Sequence, residues 1–196
     1  MTTTAPDGRT LTDGYIRLDR LTTEDIPELY DAIAHPEVYG TGYGGIAGPP
    51  RDLDHMREQW TKYADSHLIY AIRLVADNQL VGTSSFAEID VRNESIEVGA
   101  TAFRPALWGS GLNPAAKLLM LGHVFDDCGF GRVAIGVDIR NTRSLWAVAK
   151  LGAVHEGTMR RFQRCYDGTF RDMVLFSILA DEWPDVKKGL QVRLGR

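Results

Sequence analysis

The spacing of apolar positions changes several times along the chain, and each change marks an element. Tyr15–Leu21 alternates Ile16 and Leu18 with polar neighbours, the period of a half-buried strand. Thr22 and Thr23 are both suitable N-caps, and Ile26, Leu29, Tyr30 and Ile33 then recur on one helical face. Pro27 falls early enough in that helix to be tolerated. His35–Pro50 holds five glycines and three prolines around Tyr39 and Tyr43, so a loop is expected there. A second helix turns Leu53, Met56, Trp60 and Tyr63 inward. Leu68–Val75, Gln79–Asp90 and Ser95–Phe103 follow as strands, with turns at Asp77-Asn78 and Asn93, and read as an antiparallel meander.

From Asn113 onward, helix and strand alternate. The pattern predicts a helix from Pro114 to about Cys128, a strand at Arg132–Ile139 and a helix from about Thr142 to Leu151. Gly129 and Gly152 sit just past the two helices, where a left-handed stop residue belongs. Ala153–Tyr166 and Thr169–Leu179 flank Asp167-Gly168, a strong hairpin signal. Residues 1–13 are expected to form a loose tail, and 184–196 a second one. The order of elements predicts a single domain of α/β (α+β) class, with one mixed sheet flanked by helices.

Composition narrows the functions open to such a domain. A length of 196 residues suits one core, and 44% apolar with 24% charged residues is ordinary for a globular chain. A net charge of -4 argues against a general nucleic-acid binder. Arg160, Arg161, Arg164 and Arg171 form either a local basic patch or a solvated hairpin face. No apolar run spans a bilayer, so no membrane partner is expected. Met1–Gly14 lacks the apolar core of a targeting segment. Cys128 and Cys165 have no metal-like spacing, so no metal is expected and a reducing cytoplasmic setting is the simplest reading.

The segment between Phe103 and Lys117 carries the candidate chemistry. It joins a predicted strand to a predicted helix and contains Trp108-Gly-Ser-Gly-Leu-Asn113. Gly109 and Gly111 permit close backbone approach and positive φ, Asn113 suits an N-cap, and Pro114 suits the first helical position. Free N–H groups and the positive end of the helix dipole would then face the loop, a natural seat for a pyrophosphate. A strand-to-helix turn with no ligand is the plain alternative.

The order of several further segments supports the ligand. Leu80-Val-Gly-Thr, Ile96-Glu-Val-Gly, Trp108-Gly-Ser-Gly-Leu-Asn, Asn141-Thr-Arg-Ser144, Lys150-Leu-Gly, Asp167-Gly with Arg171-Asp, and Phe176-Ser-Ile-Leu before Glu182-Trp183 follow one another in that sequence. With these motifs the chain resembles the GNAT superfamily, in particular its ribosomal-protein N-terminal acetyltransferase branch, from Leu18 to Trp183. That family's cofactor loop usually opens on Arg or Gln and closes on Gly or Ala. Trp108 and Asn113 stand at those places here, and Ala115 stands where relatives often have Glu.

The resemblance implies a GNAT fold, with a mostly antiparallel twisted sheet, and direct transfer of an acetyl group from acetyl-CoA to a primary amine. The acceptor would be a peptide N-terminus, a lysine or a small amine. It places Thr101, Ala102 and Phe103 beside the pantetheine arm, and Trp108, Gly109, Ser110, Gly111, Leu112 and Asn113 around the pyrophosphate. Asn141 contacts CoA, and Ser144 protonates the leaving thiolate; both residues could instead only cap their helix. Gly99 and Ala100 sit where a strand bulge belongs. Glu97 is the first choice for the base, because the amine must be neutral to attack. It could equally be a plain strand residue. The late-strand position that carries a carboxylate in some relatives is Gln163, and His35, His123 and His155 rank lower. Tyr39, Tyr43, Trp60 and Phe162 are candidate walls of the acceptor pocket, and Asp172 is expected to pair with a hairpin arginine. A homodimer through the late strands is expected. Transfer of a longer acyl group such as succinyl, and a non-catalytic CoA-binding module, stand as alternatives. A Rossmann domain fits poorly, since its glycine fingerprint opens an early parallel unit.

Overall fold

The computed structural model describes residues 2–196. Among them, eight strands form one sheet in the order β1-β2-β3-β4-β5-β6-β8-β7. The strands are β1 (Leu11–Thr12), β2 (Ile16–Arg20), β3 (Leu68–Leu74), β4 (Leu80–Asp90), β5 (Ser95–Phe103), β6 (Arg132–Asp138), β7 (Val154–Arg164) and β8 (Phe170–Leu179). All neighbours are antiparallel except β5 and β6. The helices are α1 (Ile26–Ile33), α2 (Pro36–Tyr39), α3 (Leu53–Ala64), α4 (Leu112–Gly122), α5 (Thr142–Leu151) and α6 (Trp183–Arg193). No helix among the described residues is long and apolar enough to cross a membrane.

Alternation along the strands builds a core on each face of the sheet. Ile16, Leu18, Tyr70, Ile72, Ile96 and Val98 face α4, α5 and α6, joining Met120, Leu121, Val148 and Trp183. Ile69, Ala71, Leu80 and Ala102 face α1, α2 and α3, joining Leu29, Ile33, Met56 and Trp60. Val98 and Phe103 are an odd number of residues apart yet share the α4 face. One extra residue in β5 accounts for this. Ser85 pairs with Gly99 and Thr83 with Ala102, so Ser84 alone opposes Ala100 and Thr101. Ala100 lies at φ 46, and the bulge inverts the side-chain parity beyond it.

Both expected tails are ordered parts of the fold. Leu11 and Thr12 pair with Leu18 and Arg17 as the edge strand β1. Thr3 is buried, its hydroxyl donates to the Gly129 carbonyl at 2.8 Å, and the Thr4 N–H donates to the Cys128 carbonyl at 2.9 Å. Trp183, Val186 and Leu190 bury one face of α6. Their spacing was readable, but the surrounding polar residues masked it. The expected loop at His35–Pro50 begins with the short helix α2, because Pro36 at its first position needs no N–H partner. Helix α4 starts two residues before Pro114 and passes after Gly122 into a π-turn over His123–Asp127.

Gly82 holds β4 and β5 at the spacing the bulge requires. A Cβ there would lie 2.4 Å from the Ala102 carbonyl oxygen and 2.6 Å from the Phe103 ring. Gly82→Ala is expected to cost about 2 kcal/mol by overpacking. Urea unfolding would show it as a lower midpoint at unchanged slope.

Candidate active site

The site follows from an interrupted ladder. The parallel β5–β6 pairing runs only over Ser95–Arg132, Ile96–Val133 and Glu97–Ala134. Beyond it β6 stays paired with β8 as far as Asp138, and β5 with β4 as far as Phe103. The facing edges of Val98–Phe103 and Ile135–Asp138 therefore open a cleft whose walls are each held from behind. The bulge bends β5 away, and the Tyr43 hydroxyl donates to the Ala100 carbonyl at 3.1 Å. That bond supports a residue whose left-handed backbone costs about 1 kcal/mol or more.

Two helix N-termini close one end of the cleft. Gly111 is the N-cap of α4 at φ -71, so Asn113 is the second helical residue and not the cap expected of it. Of the two loop glycines only Gly109, at φ 80, uses a left-handed conformation. Trp108 and Ser110 N–H groups are taken by the Pro105 and Leu107 carbonyls, and the Leu112 N–H leans on Ser110 Oγ at 3.4 Å. The N–H groups of Gly109, Gly111 and Asn113 have no partner among the described residues. Three free donors at a helix N-terminus are suited to an anion. Across the cleft the Asn141 side chain caps α5 by accepting from the Ser144 N–H at 3.0 Å. Ser144 Oγ makes no hydrogen bond among the described residues. Trp108 is fixed through its indole N–H to the Phe103 carbonyl at 2.9 Å, and Arg143 stacks over its ring with the guanidinium carbon 3.2 Å from the centroid.

The opposite face of the bulge carries a carboxylate in a half-buried pocket. Glu97 folds back toward Gly99, with a carboxylate oxygen 3.0 Å from where a Gly99 Cβ would sit. Burial, reinforced by Glu88, raises the Glu97 pKa above the usual range, and Arg171 opposes this. The Tyr63 phenol lies among Ser85, Glu97 and Arg171, and burial pushes it up to about 12. Tyr43 is raised well above its ordinary value for the same reason. The glycine-rich loop closes the pocket. Its Gly45 packs on the Arg171 guanidinium and accepts at its carbonyl from the Tyr166 N–H at 3.2 Å. Gly42, at φ 88, abuts the Asp138 carboxylate that Arg140 holds by a 2.7 Å ion pair.

Gln163 adjoins the pocket, where it accepts from Arg171. Several other expected residues lie apart from it. Asp172 accepts from the Arg161 backbone N–H at 2.7 Å rather than from an arginine side chain. His35 bonds the Asp31 carbonyl, His123 sits with Asp127 at the far end of α4, and His155 packs on Phe176. Trp60 is buried in the core and meets the pocket only through its edge contact with Tyr63, while Phe162 is exposed. Tyr63, Arg171, Arg143 and Lys117 had no site role in the sequence. Tyr63 follows the apolar stripe of α3, Arg143 and Arg171 fall inside motifs that give them no role of their own, and Lys117 carries no local signal.

The geometry matches comparisons with known proteins. Residues 16–154 match the model of the acetyltransferase (GNAT) domain family, and the chain belongs to that family. A protein described as an acetyltransferase from T. thermophilus superposes with a TM-score of 0.86 at 31% identity, over 97% of this chain and 100% of that one. A GCN5-related N-acetyltransferase from Brucella melitensis gives 0.87 at 26% identity, over 97% and 87%. Mycobacterium smegmatis RimJ, solved in complex with CoA-disulfide, gives 0.78 at 21% identity, over 97% and 96%, and shares the fold. No curated protein matches the sequence. The chain is an acyl-CoA-dependent N-acetyltransferase, and its cosubstrate is acetyl-CoA.

Lys117 gives the site a measurable electrostatic signature. Its side chain is buried within the α4 face and donates to Thr101 Oγ1 at 2.9 Å. Burial lowers its pKa from 10.5 to about 8. Between those values the unfolded chain holds this proton and the folded chain releases it, so stability rises with pH through that window. Lys117→Met is expected to be more stable than the wild type near pH 7, by up to ~3 kcal/mol. The difference should shrink between pH 8 and 10.5, as read by urea unfolding at each pH.

Proposed function

We propose that this enzyme transfers the acetyl group of acetyl-CoA to a primary amine held on the Glu97 side of the β5 bulge. The observation that carries the reading is the β5–β6 cleft, whose two strands stop pairing with each other after Glu97 and Ala134 and which has free donors at one end. Gly109, Gly111 and Asn113 fit a pyrophosphate, with Trp108, Ser110 and Leu112 shaping the turn. Thr101, Ala102 and Phe103 line the arm, and Asn141 flanks it. Bound acetyl-CoA supplies the activated acyl carbon.

Glu97 is suited to the base. A carboxylate of raised pKa accepts a proton from an ammonium more readily than an ordinary one, directly or through water. The bulged β5 backbone can donate to the oxygen on which negative charge develops. The Lys117 ammonium beneath Thr101 adds positive potential there. Ser144, whose hydroxyl is unengaged, stands at the end of the cleft opposite Glu97's strand and is suited to protonate the departing thiolate. Tyr43, Tyr63 and the glycine-rich loop enclose the acceptor. Carboxylates within aromatic walls favour a cationic amine, such as a peptide N-terminus, a lysine or a small amine. The free outer edge of β7 is the surface through which a homodimer would form, and unpaired Cys128 and Cys165 suit the cytoplasm.

The test is thiol release from acetyl-CoA in the presence of a panel of peptide, lysine and small-amine acceptors. Wild-type turnover should fall as pH drops through the raised Glu97 pKa. Glu97→Gln should lower turnover about a hundredfold and abolish that limb, and Ser144→Ala should lower turnover more than acetyl-CoA binding. A Glu97→Gln enzyme with an unaltered rate and pH profile would exclude Glu97 as the base.

A further inference from the structure

The phosphate end of the cleft lacks a cation of its own. From Trp108 to Asn113 no residue is basic. Backbone N–H groups and a helix dipole together offer only partial charge, roughly half an elementary charge at the helix start. Nearby basic side chains are committed elsewhere. Arg104 pairs with Asp31 at 2.7 Å, Arg140 pairs with Asp138, and Lys117 is buried against Thr101. Arg143 differs from all three. It makes no hydrogen bond or ion pair among the described residues, and its guanidinium carbon lies over the ring of Trp108, the residue that opens the loop.

The position of Arg143 follows from its helix. Asn141 caps α5, so residue 143 falls in the first turn. A cation is unfavourable at that end of a helix dipole, and nothing acidic offsets it. Burial lowers its pKa with no counter-charge to restore it. The residue as a whole is exposed, so its donors face solvent and are free to meet a ligand. The contact with Trp108 holds the guanidinium over the residue that opens the loop and leaves its N–H donors for an oxyanion.

We propose that Arg143, held by Trp108, is the cation that binds the phosphates of the acyl-CoA cosubstrate, delivered across the cleft from the neighbouring helix. This rests on the phosphate seat at the head of α4. Trp108 is then a platform, and the two residues act as one unit.

The test compares acetyl-CoA with S-acetyl-pantetheine, which carries the same thioester and arm without phosphates. Binding of each is measured to wild type, Arg143→Met, Arg143→Lys and Trp108→Leu, with thermal unfolding to confirm that each is folded. Arg143→Met should bind acetyl-CoA about tenfold more weakly and acetyl-pantetheine unchanged. Arg143→Lys should keep part of the preference as a point charge without the stack, and Trp108→Leu should lose part of it. If the wild type itself shows no preference for acetyl-CoA, the phosphate seat is wrong. If the wild type prefers acetyl-CoA and folded Arg143→Met or Arg143→Lys keeps that preference in full, the seat stands and the Arg143 assignment is overturned.

Discussion

The structure depends on a parallel ladder that stops after three residue pairs. A sheet resists such an opening, because every unpaired edge N–H and C=O forfeits a hydrogen bond. Here the opening persists because neither strand is free to close it. Strand β6 is zipped to β8 along its full length, β5 is zipped to β4, and the extra residue at Ala100–Thr101 bends β5 outward. Tyr43 then satisfies the carbonyl that the bulge exposes. The cleft is thus a built-in defect, paired from behind and unpaired within, into which an extended amide-bearing arm can hydrogen-bond as a strand would.

The same bulge separates two unlike faces of the sheet. Before it, Glu97 and Gly99 point to the face covered by the glycine-rich loop, while Ile96 and Val98 point to α4. After it, Thr101 and Phe103 join the α4 face and Ala102 the other. One inserted residue therefore gives one side a partly desolvated carboxylate and the other a buried ammonium on Thr101. These opposite charges, each weakly compensated, would be a liability in a plain core. Their cost is intelligible if transfer chemistry occurs between them.

Much of this was legible in the sequence. Period-two and helical runs located β2 to β8 and α1, α3, α4 and α5 to within a few residues, and Asp167-Gly168 announced the last hairpin. The Gly99-Ala100 bulge was anticipated from resemblance, and the loop at 108–113 from its glycines and Pro114. What escaped were features set by distant partners. Leu11–Thr12 is too short to show a period and is a strand only because β2 offers an edge. The Asn113 cap failed because helix α4 begins earlier, at Leu112 beside Gly111. Arg171 and Arg143 look like solvated charges in sequence, and only the folded chain brings one to Glu97 and the other to Trp108.

The proposed seat of the cosubstrate is the β5–β6 cleft, with its phosphates on the backbone at the head of α4. Amide chemical shifts and hydrogen exchange, followed residue by residue during titration with acetyl-CoA, test this most directly. The predicted result is large shifts and new protection at Gly109, Gly111 and Asn113, with smaller changes along Val98–Phe103 and Ile135–Asp138. Saturating binding that leaves those amides unshifted and perturbs a different surface would contradict it.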